Sequence, residues 1–206
     1  EVAAEARQPV GIVTKNALVT RDLDVLTEMA SHRVISIAIS VTTLDADLAR
    51  DMEPRTSTPE ARLRAISKLA DAKVPVSVMI GPVIPGLNDS EIPAILKAAS
   101  EAGAKKASWN LLRLPLAVRP IFEDWLARAR PLDRERVESR IQSCRDGGMN
   151  DANFGSRMRG SGELAEQISQ TFRVFAAKYG LDCGIDRLDT TGFRPPRPSS
   201  GQLRLF

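Results

Sequence analysis

The sequence holds a single histidine, and that scarcity removes whole classes of chemistry. His32 stands between a helical stretch and the start of an apolar run, so a hydrolytic triad has no well-placed base. Cysteine is nearly as rare. Cys144 and Cys183 lie far apart and form neither a CxxC motif nor a disulfide framework, which reads as two reduced thiols in a cytoplasmic protein. One histidine with two scattered cysteines makes no zinc site. Aromatic residues are only 4%, too few for a stacking platform along single-stranded nucleic acid. No apolar run reaches the roughly 18 to 20 residues that a membrane-spanning helix requires, so no membrane partner is expected. Phosphate-loop, dinucleotide-binding and nucleophile-elbow motifs are missing as well. The opening residues 1–7 lack both a methionine and the apolar stretch of a signal peptide. The expectation is a C-terminal fragment of a longer protein.

What is present is an ordinary globular composition, 43% hydrophobic and 27% charged over 206 residues. The net charge of +3 is uneven, because the basic excess falls in residues 111–206 and is largely arginine. Arginine suits bidentate phosphate contacts, so a nucleic-acid partner is permitted, although an ordinary solvated surface is the better explanation of the charge taken alone. The first half repeats one pattern: a β-rich apolar run, a polar loop, an amphipathic helix. Runs at 10–14, 34–41, 76–80 and 107–112 read as strands, the second apolar on nearly every residue as if buried on both faces. Helices are expected at 22–30, 45–52, after Thr58 as N-cap with Pro59 at the first position, from about Ser90 to Gly103, and at 121–129. Parallel strands with crossover helices follow, as a barrel or an open α/β sheet. Four strands cannot close a barrel that takes roughly eight in its familiar form. Further helices are expected at 133–145 and 163–179 around a Gly-rich segment. The chain therefore divides into 1–131, a helical extension 132–181, and a Pro/Ser-rich tether 182–206.

In parallel β/α folds, function collects where the loops leave the C-terminal ends of strands. Those positions hold Thr14, Lys15 and Asn16; Ser40, Thr42 and Thr43; the segment 81–89; and Asn110 with Arg113. They offer hydroxyls, amides, an ammonium and a guanidinium. Lys15 at a strand end also admits a Schiff-base aldolase, although other aldolase features are lacking.

The blocks Ile12-Val13-Thr14-Lys15, Ile37-Ala38-Ile39-Ser40-Val41-Thr42-Thr43-Leu44-Asp45, Met52-Glu53-Pro54-Arg55-Thr56-Ser57-Thr58-Pro59 and Pro82-Val83-Ile84-Pro85-Gly86-Leu87-Asn88-Asp89 fall in order at successive strand ends. Together with Asn153-Phe154-Gly155-Ser156-Arg157-Met158-Arg159-Gly160, they resemble the radical S-adenosylmethionine (SAM) superfamily, in its spore photoproduct lyase-like (DNA repair photolyase-like) bacterial subgroup. The resemblance implies strands three to six of a partial six-stranded (β/α) barrel. It also implies an enzyme whose [4Fe–4S] cluster, held by a CxxxCxxC loop upstream, cleaves SAM to a 5′-deoxyadenosyl radical. That loop is not in this sequence, so the chain alone is expected to be inactive. By position in the resembling blocks, Thr14, Lys15, Ser40, Thr42 and Arg55 are candidates for the SAM ribose and carboxylate, and Arg55 serves equally as a helix-flanking salt bridge. Ile84, Pro85, Gly86 and Asn88 are candidates for the adenine side. The family pattern G-x-I-x-G-x-x-E is met in part, since Asp89 stands where Glu is usual. No catalytic residue is assigned, and the electron donor is not identified.

The final Gln202-Leu203-Arg204-Leu205-Phe206 resembles the peptide with which bacterial repair and replication proteins bind the sliding clamp. Leu203, Leu205 and Phe206 suit an apolar groove and Gln202 a polar anchor. Clamp affinity unchanged by loss of Leu205 and Phe206 would refute that role. Two functions stay open: a radical SAM enzyme acting on damaged or modified nucleic acid, RNA, protein or a metabolite, and a non-catalytic DNA- or clamp-binding module.

Overall fold

A computed structural model describes residues 1–182 and 187–195. Its centre is a parallel sheet of β1 (Val10–Thr14), β2 (Ile35–Ser40), β3 (Val76–Val83) and β4 (Ala107–Leu111), ordered as in the sequence. Helices alternate with the strands: α1 (Val2–Glu5), α2 (Leu23–Ser31), α3 (Ala46–Met52), α4 (Pro59–Asp71), α5 (Ile92–Glu101) and α6 (Val118–Ala129). The helices α7 (Arg134–Ser143) and α8 (Gly162–Lys178) follow. The α/β class and the four parallel strands are as the sequence predicts. The sheet is open, not closed on itself, with β1 and β4 as its edges. No helix among the described residues is long and apolar enough to cross a membrane.

The two faces of the sheet differ. The register pairs Ile12 with Ile37, Ile37 with Val76 and Val78 with Ala107, which aligns the β-branched residues on one face. Helices cover that face through Leu26 and Met29, Ile66 and Leu69, Ile95 and Leu96, and Ile168. Each buried aliphatic side chain there contributes roughly 1.5–3 kcal/mol. The opposite face carries Gly11, Val13, Ser36, Ala38, Ser77, Met79, Ser108 and Asn110. Ser36 and Ala38 are only half-buried, so the expectation that 34–41 is enclosed on both sides does not hold. The run alternates apolar with small residues, and only the apolar set meets helices.

Caps set the helix starts. Asp45 accepts from the N–H groups of Asp47 and Leu48, and Thr58 accepts from Ala61 N with Pro59 next in line. Two 3₁₀ turns, Ala17–Asp22 and Asp89–Glu91, and the short α1 are additions that periodicity does not reveal. β3 runs three residues further than expected, to Val83, because Leu112 N reaches across to Val83 O at 2.8 Å. A smaller apolar cluster, including Ile84, Leu114, Phe122, Leu126 and Ile141, seats α6 and α7 beside the 84–89 loop. The outer edge of β4 is covered in part: Ala107 N donates to Leu181 O and Leu111 N to Met158 O. β1 receives no such cover from the described residues.

Candidate functional site at the strand ends

The C-terminal ends of β1, β2 and β3 meet in one polar hub centred on Glu53, which lies between α3 and α4. Its Oε1 takes the Lys15 ammonium, and its Oε2 accepts from Arg62 Nη2 at 2.6 Å. Arg62 is 1% exposed yet each guanidinium nitrogen has a partner: Nε donates to Ser57 O at 2.8 Å, Nη1 to Ser40 O at 3.0 Å, and Nη2 also to Thr56 Oγ1 at 2.5 Å. The guanidinium thereby ties the end of β2 to the 53–58 loop. Thr42 Oγ1 lies 3.4 Å from Lys15 Nζ, 3.1 Å from Glu53 Oε1 and 3.2 Å from Gly81 O. The hydroxyl has one proton, so the carboxylate and the carbonyl compete for it. Ser40 Oγ donates to the same Gly81 O at 3.0 Å.

Burial pushes the Glu53 carboxyl up, but hydrogen bonds from Lys15 and Arg62, with their charges, outweigh it and hold the group below its ordinary 4.5. Glu53 is therefore an anion that orients Lys15. The Lys15 side chain keeps 31% of its surface, so part of this cation faces outward. An ion-paired lysine is a poor Schiff-base nucleophile, which needs a free amine.

A second set shapes the loop after β3. Asn88, fully buried, accepts from Ile84 N at 2.6 Å and donates to Thr42 O at 2.8 Å and Pro82 O at 3.1 Å. Glu91 receives Thr43 Oγ1 at 2.5 Å and Leu44 N at 2.7 Å. Pro85 and Gly86 are buried under α7, where Arg136 Nε donates to Gly86 O at 3.1 Å. A Cβ on Gly86 would stand 2.9 Å from Arg140 Cδ, so the missing side chain makes room for α7. Gly81 is buried against Asn110, whose amide occupies the space of a Cβ.

The structure thus brings Lys15, Ser40 and Thr42 together, with Thr14 alongside as acceptor for Asn16 N at 3.0 Å. Ile84, Pro85, Gly86 and Asn88 form the adjoining loop. Arg55 stands apart, exposed, on the turn before α4. Sequence reasoning passed over Glu53, Arg62 and Glu91. A signal for Arg62 existed: it sits three and four residues before Ala65 and Ile66, on the stripe of α4 that faces the core, where a charge must find partners. Gln202, Leu203, Leu205, Phe206 and Cys183 lie outside the described residues.

The cluster and SAM fare differently. Among the described residues no group of three or more His, Cys, Asp or Glu could hold a metal. Cys144 is buried, and burial pushes its thiol up to about 11, the reverse of a ligating thiolate. The described residues do not fit a [4Fe–4S] cluster. Toward the polar end of SAM, the Lys15 ammonium is the partly exposed group, while the Ser40 and Thr42 hydroxyls are buried against Gly81 O.

Uncharacterised proteins of Mycobacterium bovis and Mycobacterium tuberculosis are each 38% identical to this chain over 130 residues, 62% of this chain and 38% of theirs. An uncharacterised protein of Methanocaldococcus jannaschii is 30% identical over 87 residues, 42% of this chain and 32% of its own. The aligned stretch spans well under half the length of these relatives. The entire hub, from Lys15 through Glu91, lies within residues 1–99, and those residues match the family model described as the Radical SAM superfamily.

Proposed function

We propose that this chain supplies the SAM-binding side of a radical SAM enzyme of the spore photoproduct lyase-like subgroup, as strands three to six of its partial (β/α) barrel. The observation that carries this reading is the Lys15–Glu53–Arg62 hub, partly open to solvent at Lys15, beside the uncovered face of the sheet. A [4Fe–4S] cluster held by residues other than those described would supply the electron for SAM cleavage. Within this chain, Lys15 neutralises the ligand carboxylate, Glu53 aims Lys15, and Ser40 and Thr42 set the end of β2. Thr14 extends the polar rim, Arg55 stands apart from it and exposed, and Ile84 to Asn88, packed under α7, support the adenine side from behind. The division into 1–131, 132–181 and 182–206 belongs to the same reading, as do a cytoplasmic location and a clamp-binding terminus. The substrate we favour is damaged or modified nucleic acid, on the strength of the arginine-rich second half.

Calorimetric titration of SAM into the chain tests the cradle without asking for turnover. Binding is expected, and Lys15→Met is expected to weaken it about tenfold, the equivalent of roughly 1.4 kcal/mol. Equal affinity in both proteins would remove Lys15 from the site. No SAM binding at all, with the fold intact, would favour the non-catalytic module instead.

A further inference from the structure

The loop between α7 and α8 carries cations that the fold does not pair. Each arginine of α6, of α7 and of the turn between them meets a carboxylate. Arg157 and Arg159 meet none among the described residues. The neighbouring carboxylate, Asp151, is engaged within the loop, accepting from Asn153 N at 2.8 Å and Ser156 Oγ at 2.5 Å. These bonds wind the loop, and others fix it. Arg157 N donates to Asn153 O at 3.1 Å and Gly160 N to Ser156 O at 2.7 Å, a helical pitch that puts Phe154, Arg157 and Met158 on one side. Met158 O accepts from Leu111 N at 2.9 Å, at the last residue of β4. The loop is therefore anchored at the C-terminal end of the sheet, the end that also carries the hub.

On this fixed turn Phe154 is 91% exposed, and the Arg157 guanidinium stands 4.9 Å from its ring centre. The cation covers one face of the ring and leaves the other to solvent. Arg159 lies over a second ring, 4.6 Å from the centre of the buried Trp109, with its own surface exposed. We propose that this loop binds an unpaired base of a nucleic-acid strand, stacked on the open face of Phe154, with Arg157 and Arg159 meeting the flanking phosphates. Every base offers a π face to an aromatic ring, and the planar fork of arginine matches phosphate oxygens. An acidic peptide would satisfy the two cations and leave the ring in water. One ring is no platform along a strand, so the site takes a single base, in keeping with the scarcity of aromatic residues. The proposal rests on the nucleic-acid reading for the class of partner, adds where that partner sits, and uses no residue of the hub.

Fluorescence anisotropy of a labelled oligothymidylate of about 12 nucleotides, titrated with the full chain, tests the loop. Binding is expected, and Phe154→Ala should weaken it about tenfold with the melting temperature unchanged, since the ring is exposed. Phe154→Trp should retain it. Arg157→Gln should weaken binding and reduce the slope of log affinity against log salt by about 0.7, one phosphate contact. Arg128→Gln, an exposed arginine already paired with Asp124, should change neither, and nor should Lys15→Met. Annealing the probe to oligoadenylate buries its bases in their own stack, so the duplex should bind several-fold more weakly. Oligothymidylate that binds wild type, Phe154→Ala and Arg157→Gln alike overturns the loop site and leaves the nucleic-acid reading standing. A folded wild type that does not bind it overturns both. Equal affinity for the duplex overturns the stacked base, and polyglutamate that competes as well as oligothymidylate overturns the choice of partner.

Discussion

Glu53 has more consequence than any other side chain in the hub, because it is the carboxylate paired with both a buried guanidinium and a partly exposed ammonium. Glu53→Gln keeps the shape and removes the charge, leaving Arg62 buried without a counter-ion. Breaking such a pair costs about 3 kcal/mol, measured as loss of unfolding free energy in denaturant near neutral pH. The pH dependence has a definite sign. The native carboxyl titrates below its ordinary 4.5, so its contribution is complete above that value and disappears as pH falls through the native pKa. The gap between wild type and Glu53→Gln should therefore be constant near neutrality and narrow below about pH 4.5. A gap independent of pH down to acid unfolding would mean that Glu53 is not held as an anion.

At the scale of elements, the junction between α7 and α8 is closed by glycines for a geometrical reason. Gly160 has φ +79°, and a Cβ there would stand 2.8 Å from both Cys144 O and Leu111 Cδ2. Ser161 N then donates to Cys144 O at 3.0 Å, satisfying the last turn of α7 before α8 begins. Gly160→Ala combines an unfavourable left-handed backbone with a backbone clash, and the first alone costs roughly 1–2 kcal/mol. The expected outcome is a drop in melting temperature larger than that of Gly155→Ala, where nothing lies within 4 Å of the added carbon. Equal drops would show that the junction yields. The Gly-rich character of this segment was visible in the sequence. Which glycine the packing requires was not, since it depends on how the chain returns to β4.

For the whole molecule, the asymmetry of the sheet edges matters most. β4 is partly covered by the backbone of Met158 and Leu181, whereas the outer edge of β1 receives no backbone hydrogen bond from the described residues. β1 is rich in β-branched residues, free of charge and proline, and Val13 is 62% exposed. An edge of that kind templates pairing with another chain. The chain on its own should self-associate, with apparent mass in light scattering rising with concentration. Val13→Lys should suppress this without loss of helix signal. A monodisperse wild type that melts cooperatively would count against an available edge.

The sequence alone determined the succession of strands and helices, because β-branched runs, Thr58 with Pro59, and the apolar stripes of α4 and α5 act over a few residues each. It also marked the strand ends, where Lys15, Ser40 and Thr42 do meet. Tertiary structure decided the rest. Glu53 reaches Lys15 across 38 positions and Thr42 across 11, so no local pattern pairs them. Arg145 reaches Leu112 across 33. Gly86 looks in the sequence like a place for a ligand, and folding gives that space to Arg140. Ionic and steric contacts between distant segments depend on the path of the backbone between them, and only the packed chain supplies that path.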